Sequence, residues 1–329
     1  MNIYIFIFVS SLTLIFFYTF SKKVSKYTSL YKKNSDNTPL VGGLGIYFFF
    51  FLGLINLYNL NSELIIENLY LLLTIFVIFL IGIIDDILDL NYIIRLIYIY
   101  LILIIFLKLD NKFLVYQLYF ETFEKTFMLG QLSIFITALF IILFVNSMNM
   151  ADGINGNSSI IFLSYIFILF EVDSVLNNFL FLIIIPLIIF LIFNIKNKVY
   201  LGDSGVYLLS TFLAFYTIHK YKYAPDPLSS EKIFMTFMIP GIDMLRLFCV
   251  RIYNKKNPFK GDQNHLHHIL INKLSINKSL LIYLILILWP NLIYSFFEIQ
   301  SYYLIIINIL VYSLLIKLFK HNQKLFIKF

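Results

Sequence analysis

The chain has 329 residues, 60% of them hydrophobic and 13% charged, with a mean hydropathy of +0.88. Soluble domains run to about 45–50% apolar and about 25% charged residues, so a soluble globular protein is excluded and a polytopic membrane bundle is expected. The net charge of +7 must be divided between two membrane sides before it says anything about partners, and the single cysteine, Cys249, excludes an internal disulfide and a thiolate zinc site.

Apolar runs long enough to span a membrane fall at 3–20, 41–60, 67–84, 92–108, 131–148, 158–171, 178–194, 204–219, 232–248, 279–297 and 302–319. They predict an all-α polytopic bundle of about 11 transmembrane helices. The first run lacks a basic start and a small-residue cleavage site and is followed by Lys22, Lys23 and Lys26. It therefore predicts a retained helix with the N-terminus outside, which puts the C-terminus in the cytoplasm. Residues 1–329 read as a single transmembrane domain, with cytoplasmic loops at about 21–40, 85–92, 146–158, 195–204 and 249–278. With that alternation, 19 of the 25 Lys and Arg residues lie on the inner side. The charge is thus an orientation signal and a lipid-surface contact, and no nucleic-acid partner is expected.

The acidic residues partition as sharply. All seven Glu fall outside, and the eight acids inside are all Asp: Asp36, Asp85, Asp86, Asp89, Asp152, Asp203, Asp243 and Asp262. Short, stiff carboxylates suit fixed oxygen positions around a hard cation, which points to a cytoplasmic reaction centre. Neither a fixed-period repeat nor an inverted pair of broken helices is present to support a transporter.

Five segments carry the chemistry. The third span ends in Asp85-Asp86-Ile87-Leu88-Asp89, where helical spacing sets Asp85 and Asp89 on one face. Carboxylates this close invite Mg²⁺ or a shared proton, although a solvated helix end has the same composition. The fifth span ends in Asn146-Ser147-Met148-Asn149-Met150-Ala151-Asp152-Gly153-Ile154-Asn155-Gly156. Its amides orient ligands without adding charge, and its glycines admit close backbone approach. Gly202-Asp203-Ser204-Gly205 opens the eighth span, at a helix N-terminus that favours phosphate, or is simply a cap. The ninth span carries Asp243 and Arg246 three residues apart, fit for an ion pair or a direct role. The loop beyond it holds His265, His267 and His268, three of the chain's five histidines, able to donate to a diphosphate or move a proton near neutral pH. Zinc suits this set less well than a harder ion, because no thiolate is nearby.

In this order and all on one side, these segments resemble the polyprenyl-phosphate N-acetylhexosamine-1-phosphate transferase family (glycosyltransferase family 4). That family includes the undecaprenyl-phosphate GlcNAc-1-phosphate transferases and the phospho-MurNAc-pentapeptide transferases. The resemblance extends to Thr38-Pro39-Leu40-Val41-Gly42-Gly43, to Pro240-x-x-Asp243, and to Asp89, where the muropeptide branch typically has Lys; it therefore favours the GlcNAc-type branch. It implies an enzyme of the bacterial cytoplasmic membrane. The enzyme would transfer an N-acetylhexosamine 1-phosphate from a UDP-sugar to undecaprenyl phosphate on the cytoplasmic face, with Mg²⁺, releasing UMP and initiating a cell-surface glycan. It further implies Asp203 as the Mg²⁺ ligand with Asp152 nearby, and Asp85 and Asp86 as the pair that positions or deprotonates the lipid phosphate. His265, His267 and His268 would clamp the diphosphate, and Asn146, Asn149, Gly153, Asn155, Thr38 and Pro39 would bind substrate. The expected partners are the UDP-N-acetylhexosamine, the polyprenyl phosphate and membrane lipids, with a homodimer left open.

Two positions depart from the family pattern. Asn155 stands where relatives carry the second Asp of Asp-Gly-x-Asp-Gly, and Gln263 stands where many carry Arg before the histidines, leaving Lys256 or Lys260 as substitutes. Three other readings compete. An aromatic prenyltransferase would need two paired Asp motifs and no histidines; a transporter would place its acids near mid-membrane; and a catalytically inactive protein of the same fold has no need of recurrent inner Asp.

Overall fold

The computed structural model describes residues 10–19, 38–170, 176–224, 228–258, 262–297 and 299–321. Asp36, Lys260 and the Lys22, Lys23 and Lys26 flank lie outside the described residues. The elements are almost all helical: α1 Ser10–Thr19, α2 Gly42–Leu60, α3 Ser62–Glu67, α4 Leu69–Leu88, α5 Tyr92–Leu109, a hairpin of β1 Gln117–Phe120 and β2 Lys125–Met128, then α6 Ser133–Ala151, α7 Asn157–Leu169, α8 Asn177–Ile195, α9 Gly202–Tyr223, α10 Ser230–Tyr253, α11 Leu266–Ile271, α12 Ile276–Phe297 and α13 Ser301–His321. The chain is an all-α polytopic membrane protein.

Each of the eleven apolar runs overlaps one of these helices, most of which extend a few residues past it. Eight of them are long and apolar enough to cross a membrane by length and composition, among the described residues. The other three are α1 and α7, which are shorter apolar helices, and α9. In α9 the sequence alternates apolar residues with Ser210, Thr211, His219, Lys220 and Lys222. Its first four turns are buried on all sides, so there lipid does not select its side chains. Ser210 and Thr217 return their hydroxyls to the helix's own carbonyls at Val206 and Leu213, at 2.6 and 2.7 Å. By contrast α5 and α13 present Ile94, Ile97, Leu101 and Ile105, and Ile306, Leu310 and Leu314, to the outside. Such surfaces are stable only against hydrocarbon.

The chain divides into two compact units, each assembled from three separate segments. The first unit takes residues 1–115, 131–145 and 170–224. Here α9 packs against α4 and α2, and α2 packs against α8. Gly42 and Gly43 donate their backbone N–H groups to the carbonyls of Tyr200 and Leu201, at 2.9 and 2.8 Å, and Tyr200 N–H donates to Pro39 at 2.9 Å. The segment before α2 is thereby tied to the segment before α9. The second unit takes residues 116–130, 146–169 and 225–329. It pairs α12 with α7, α10 and α13, and it holds the antiparallel hairpin, in which Gln117 faces Met128 and Phe120 faces Lys125.

Candidate active site

In the first unit the Asp pair at the end of α4 does two different jobs. Asp86 sends both carboxylate oxygens to the start of α9, accepting the backbone N–H groups of Asp203 (2.7 Å) and Ser204 (3.1 Å). A carboxylate from another helix thus satisfies donors that a helix N-terminus leaves open. Gly202, with φ +76°, makes the turn into α9, and a Cβ there would meet the Asp86 Oδ2 at 2.7 Å. Asp85 is buried. It forms an ion pair with Arg95 of α5, accepts the Tyr207 hydroxyl at 3.2 Å and accepts the Leu90 N–H at 3.0 Å. The Arg95 guanidinium also reaches Asp203 Oδ2 at 3.6 Å and lies 5.7 Å from the Tyr207 ring centroid, while its Nε is buried without a hydrogen-bond partner. Asp203 keeps a carboxylate that is 29% exposed.

Asp89 departs from the helical-face expectation. α4 ends at Leu88, and Asp89 caps it in the left-handed conformation, φ 51°, exposed, with its N–H on the Asp85 carbonyl. The left-handed turn at the cap leaves Asp89 exposed, whereas Asp85 is buried. Thr38 and Pro39 are buried in the first unit, where the Thr38 hydroxyl donates to the Asn197 carbonyl at 3.3 Å.

The second unit gathers the amide and histidine motifs. Asn146 and Asn149 stand on the last turns of α6, which runs through Ala151, instead of in a loop. The Asn146 amide donates to Met244 Sδ at 3.3 Å. The turn between α6 and α7 is pinned at both ends: Asn157 donates to the Ala151 carbonyl at 2.7 Å, and the Ser158 hydroxyl donates to Asp152 Oδ1. Asp152 and Asn155 remain half-buried and Gly153 is exposed. His267 lies beneath that turn. Its ring is 0% exposed, neither ring nitrogen has a hydrogen-bond partner, and Nε2 sits where a Cβ on Gly153 would be. Two motifs more than 100 residues apart in sequence are therefore in van der Waals contact.

His267 and His265 stack at 5.5 Å between ring centroids with 5° between planes, and His268 stands 4.2 Å from His267. Burial, followed by the neighbouring His268 and His265 rings, pushes the His267 imidazole down to about 3, so it is neutral at physiological pH. His268, half-buried, is shifted in the same direction, first by burial and then by His265. The base of the loop is held by buried Arg251, which donates to Asp262 at 2.8 Å and to the Pro258 carbonyl at 2.8 Å. Partial burial opposes ionisation of Asp262, but the Arg251 bond and the Asn264 N–H outweigh it and hold this carboxyl below the ordinary range. Gln263 and Lys256 are exposed.

Asp243 is the hub of the second unit. Its carboxylate takes Arg246 at 2.9 Å, His265 Nδ1 at 2.8 Å, the Leu266 N–H at 3.2 Å and the Tyr312 hydroxyl. The i,i+3 ion pair read from the sequence is present, and a direct contact to the histidine motif accompanies it. Arg95, Tyr207, Ser158 and Tyr312 were not legible beforehand. Arg95 is a single cation one turn into a helix, and the tyrosines are two among 24.

A family model described as glycosyl transferase family 4 matches residues 68–220, from the start of α4 through most of α9. That segment is similar to glycosyl transferase family 4, within a polytopic helical membrane protein. The chain is similar to the undecaprenyl-phosphate alpha-N-acetylglucosaminyl 1-phosphate transferase of Escherichia coli O157:H7, 27% identical over 274 residues that cover 78% of this chain and 72% of the relative. The protein of the same name from Escherichia coli strain K12 is 26% identical over 276 residues, with the same coverage. That from Thermotoga maritima is 28% identical over 216 residues, 65% of this chain and 66% of the relative.

Proposed function

We propose that the protein transfers an N-acetylhexosamine 1-phosphate from a UDP-sugar to undecaprenyl phosphate, releasing UMP, at the cytoplasmic face of a bacterial inner membrane. The product would initiate a cell-surface glycan such as an O-antigen or a teichoic acid. The observation that carries this reading is the packing of His267 against Gly153, which joins the amide-acid turn and the histidine loop into one polar cluster. The family match and the names of the relatives support it.

Attack of a phosphate on a diphosphate brings anions together, so catalysis rests on positioning and on donors that offset charge. Arg95 supplies a guanidinium whose Nε is unpartnered, and His268 supplies an imidazole that is only half-buried. Asp85 and Asp86 hold Arg95 and the start of α9 in place; a substrate role for Asn149, Asn155 and Gly153 rests on the resemblance.

Mg²⁺ fits the donor set. Mg²⁺ is held by one or two carboxylates together with substrate phosphates, and Asp203 offers a hard carboxylate donor that is 29% exposed. Asp203, partly exposed beside Arg95, is the residue that would hold it; a metal role for Asp152 rests on the resemblance alone. Bound there, Mg²⁺ would supply charge neutralisation at the diphosphate.

The test is UMP release by purified protein given undecaprenyl phosphate, Mg²⁺ and a panel of UDP-N-acetylhexosamines, with and without EDTA. Lipid-dependent, EDTA-sensitive release with one donor is the expected result. Folded protein that neither releases UMP nor binds any UDP-sugar of the panel would overturn the reading. Asp203→Asn should lower Mg²⁺-dependent turnover by on the order of a hundredfold, while leaving the thermal midpoint close to that of the parent.

A further inference from the structure

The histidine loop is oriented from the last described helix. Asp243 of α10 is buried and collects donors from three directions: Arg246 on its own helix at 2.9 Å, the Leu266 N–H at 3.2 Å, and the hydroxyl of Tyr312 of α13. A carboxylate with this many donors is an acceptor only, so His265 Nδ1, at 2.8 Å from Oδ2, carries the proton of that bond. Nδ1 is thus committed, and Nε2 is the ring atom left for a ligand.

Tyr312 is 2% exposed and works on both partners of the hub. It donates to Asp243 and accepts from Arg246 Nε at 2.7 Å, while Arg246 Nη2 reaches on to the Asn264 carbonyl at 2.6 Å, one residue before His265. The hydroxyl therefore locks a carboxylate and a guanidinium that between them grip both the backbone and the ring at the start of the histidine motif.

We propose that Tyr312 is a positioning residue for the transfer reaction: by fixing Asp243 and Arg246 it holds the His265 ring through its Nδ1–H and aims Nε2, which donates when it carries a proton, at the donor diphosphate. This assignment rests on the proposed function for its chemistry, but the tautomer it predicts does not. Outer partners of this kind typically change activity by about 10–100-fold when removed. The chain has only five histidines, so ¹⁵N-histidine NMR of the full-length protein in detergent resolves His265, assigned by its loss in His265→Gln.

In the parent, His265 should show a protonated Nδ1 and an Nε2 signal that responds to the UDP-sugar. In Tyr312→Phe that signal should move toward a mixture of tautomers, kcat should fall on the order of tenfold, and KM for the UDP-sugar should stay within about twofold. Arg246→Gln removes the other partner of the same hydroxyl and should reproduce the spectral change, which keeps the test open if Tyr312→Phe does not fold. Tyr303→Phe, an exposed position on the same helix, should change neither spectrum nor kinetics. An unaltered His265 signal in both hub variants overturns the proposal whatever the activity, and so does a raised KM with unchanged kcat. If the parent itself releases no UMP, the proposed function fails, and the tautomer measurement still decides the role of Tyr312.

Discussion

At Gly153 a methyl group would overlap Nε2 of His267, and the ring has no room to withdraw because it is enclosed on all sides. Gly153→Ala should cost about 1–3 kcal/mol of stability through overpacking and should lower turnover sharply; Gly153→Ala combined with His267→Ala should recover part of the stability but not the activity. Thermal melts and UMP release on the two variants separate these effects. The same ring has a signature in pH. Its folded value of about 3 lies below the ordinary histidine value of about 6.5, so between these limits the unfolded chain binds the extra proton. Stability from the neutral ring is fully present above about pH 6.5 and is lost as pH falls toward 3, and the slope should flatten in His267→Gln. Denaturant titrations at a series of pH values measure it. The histidines, the Asp pair and the amide-acid turn were legible in the sequence because spacing and composition mark them. Tyr312 and Arg95 were not, because a tyrosine in a chain with 24 of them and a lone arginine carry no pattern, and only the fold shows what they touch.

Among elements, the sequence left the short helices α3 and α11 and the hairpin unassigned; β1 and β2 have four residues each and no apolar alternation long enough to register. What holds the hairpin is polar. Glu231, in the first turn of α10, accepts the backbone N–H groups of Glu121 and Thr122 at 3.0 and 3.1 Å, and Glu121 in turn accepts the hydroxyls of Ser229 and Tyr294 at 3.2 and 3.1 Å. Glu231→Ala leaves two backbone donors without their carboxylate, which should cost about 1–3 kcal/mol. Hydrogen exchange at 117–128 should speed up selectively, and unchanged exchange there would remove the latch from the account. Of the eleven runs, eight fold into helices long and apolar enough to cross a membrane, among the described residues, because helices in lipid need long apolar runs. α9 shows the converse: burial behind α2 and α4 frees it from the hydropathy that marks its neighbours.

For the whole molecule, the membrane orientation rests on the bias of Lys and Arg to one set of loops. In a Cys249→Ser background, Lys255→Cys should react with a membrane-impermeant maleimide only after the membrane is opened, and Glu124→Cys should react in intact spheroplasts. The opposite pattern would reverse the topology.

The interleaving of the two units also constrains synthesis. Segments 116–130 and 146–169 of the second unit leave the ribosome well before residues 225–329, which complete it. At about 5–20 residues per second, the roughly 160 residues that follow α7 take about 8–30 s to be made. Until α10 and then α12 emerge, α7 lacks the helices it packs against in the finished protein, and the hairpin lacks α10. The first unit, by contrast, has all of its segments once Ala224 has been added. A stalled or truncated chain therefore presents a complete first unit and an orphaned α7, which is the kind of unpaired membrane segment that insertion chaperones and quality-control proteases exist to hold or remove.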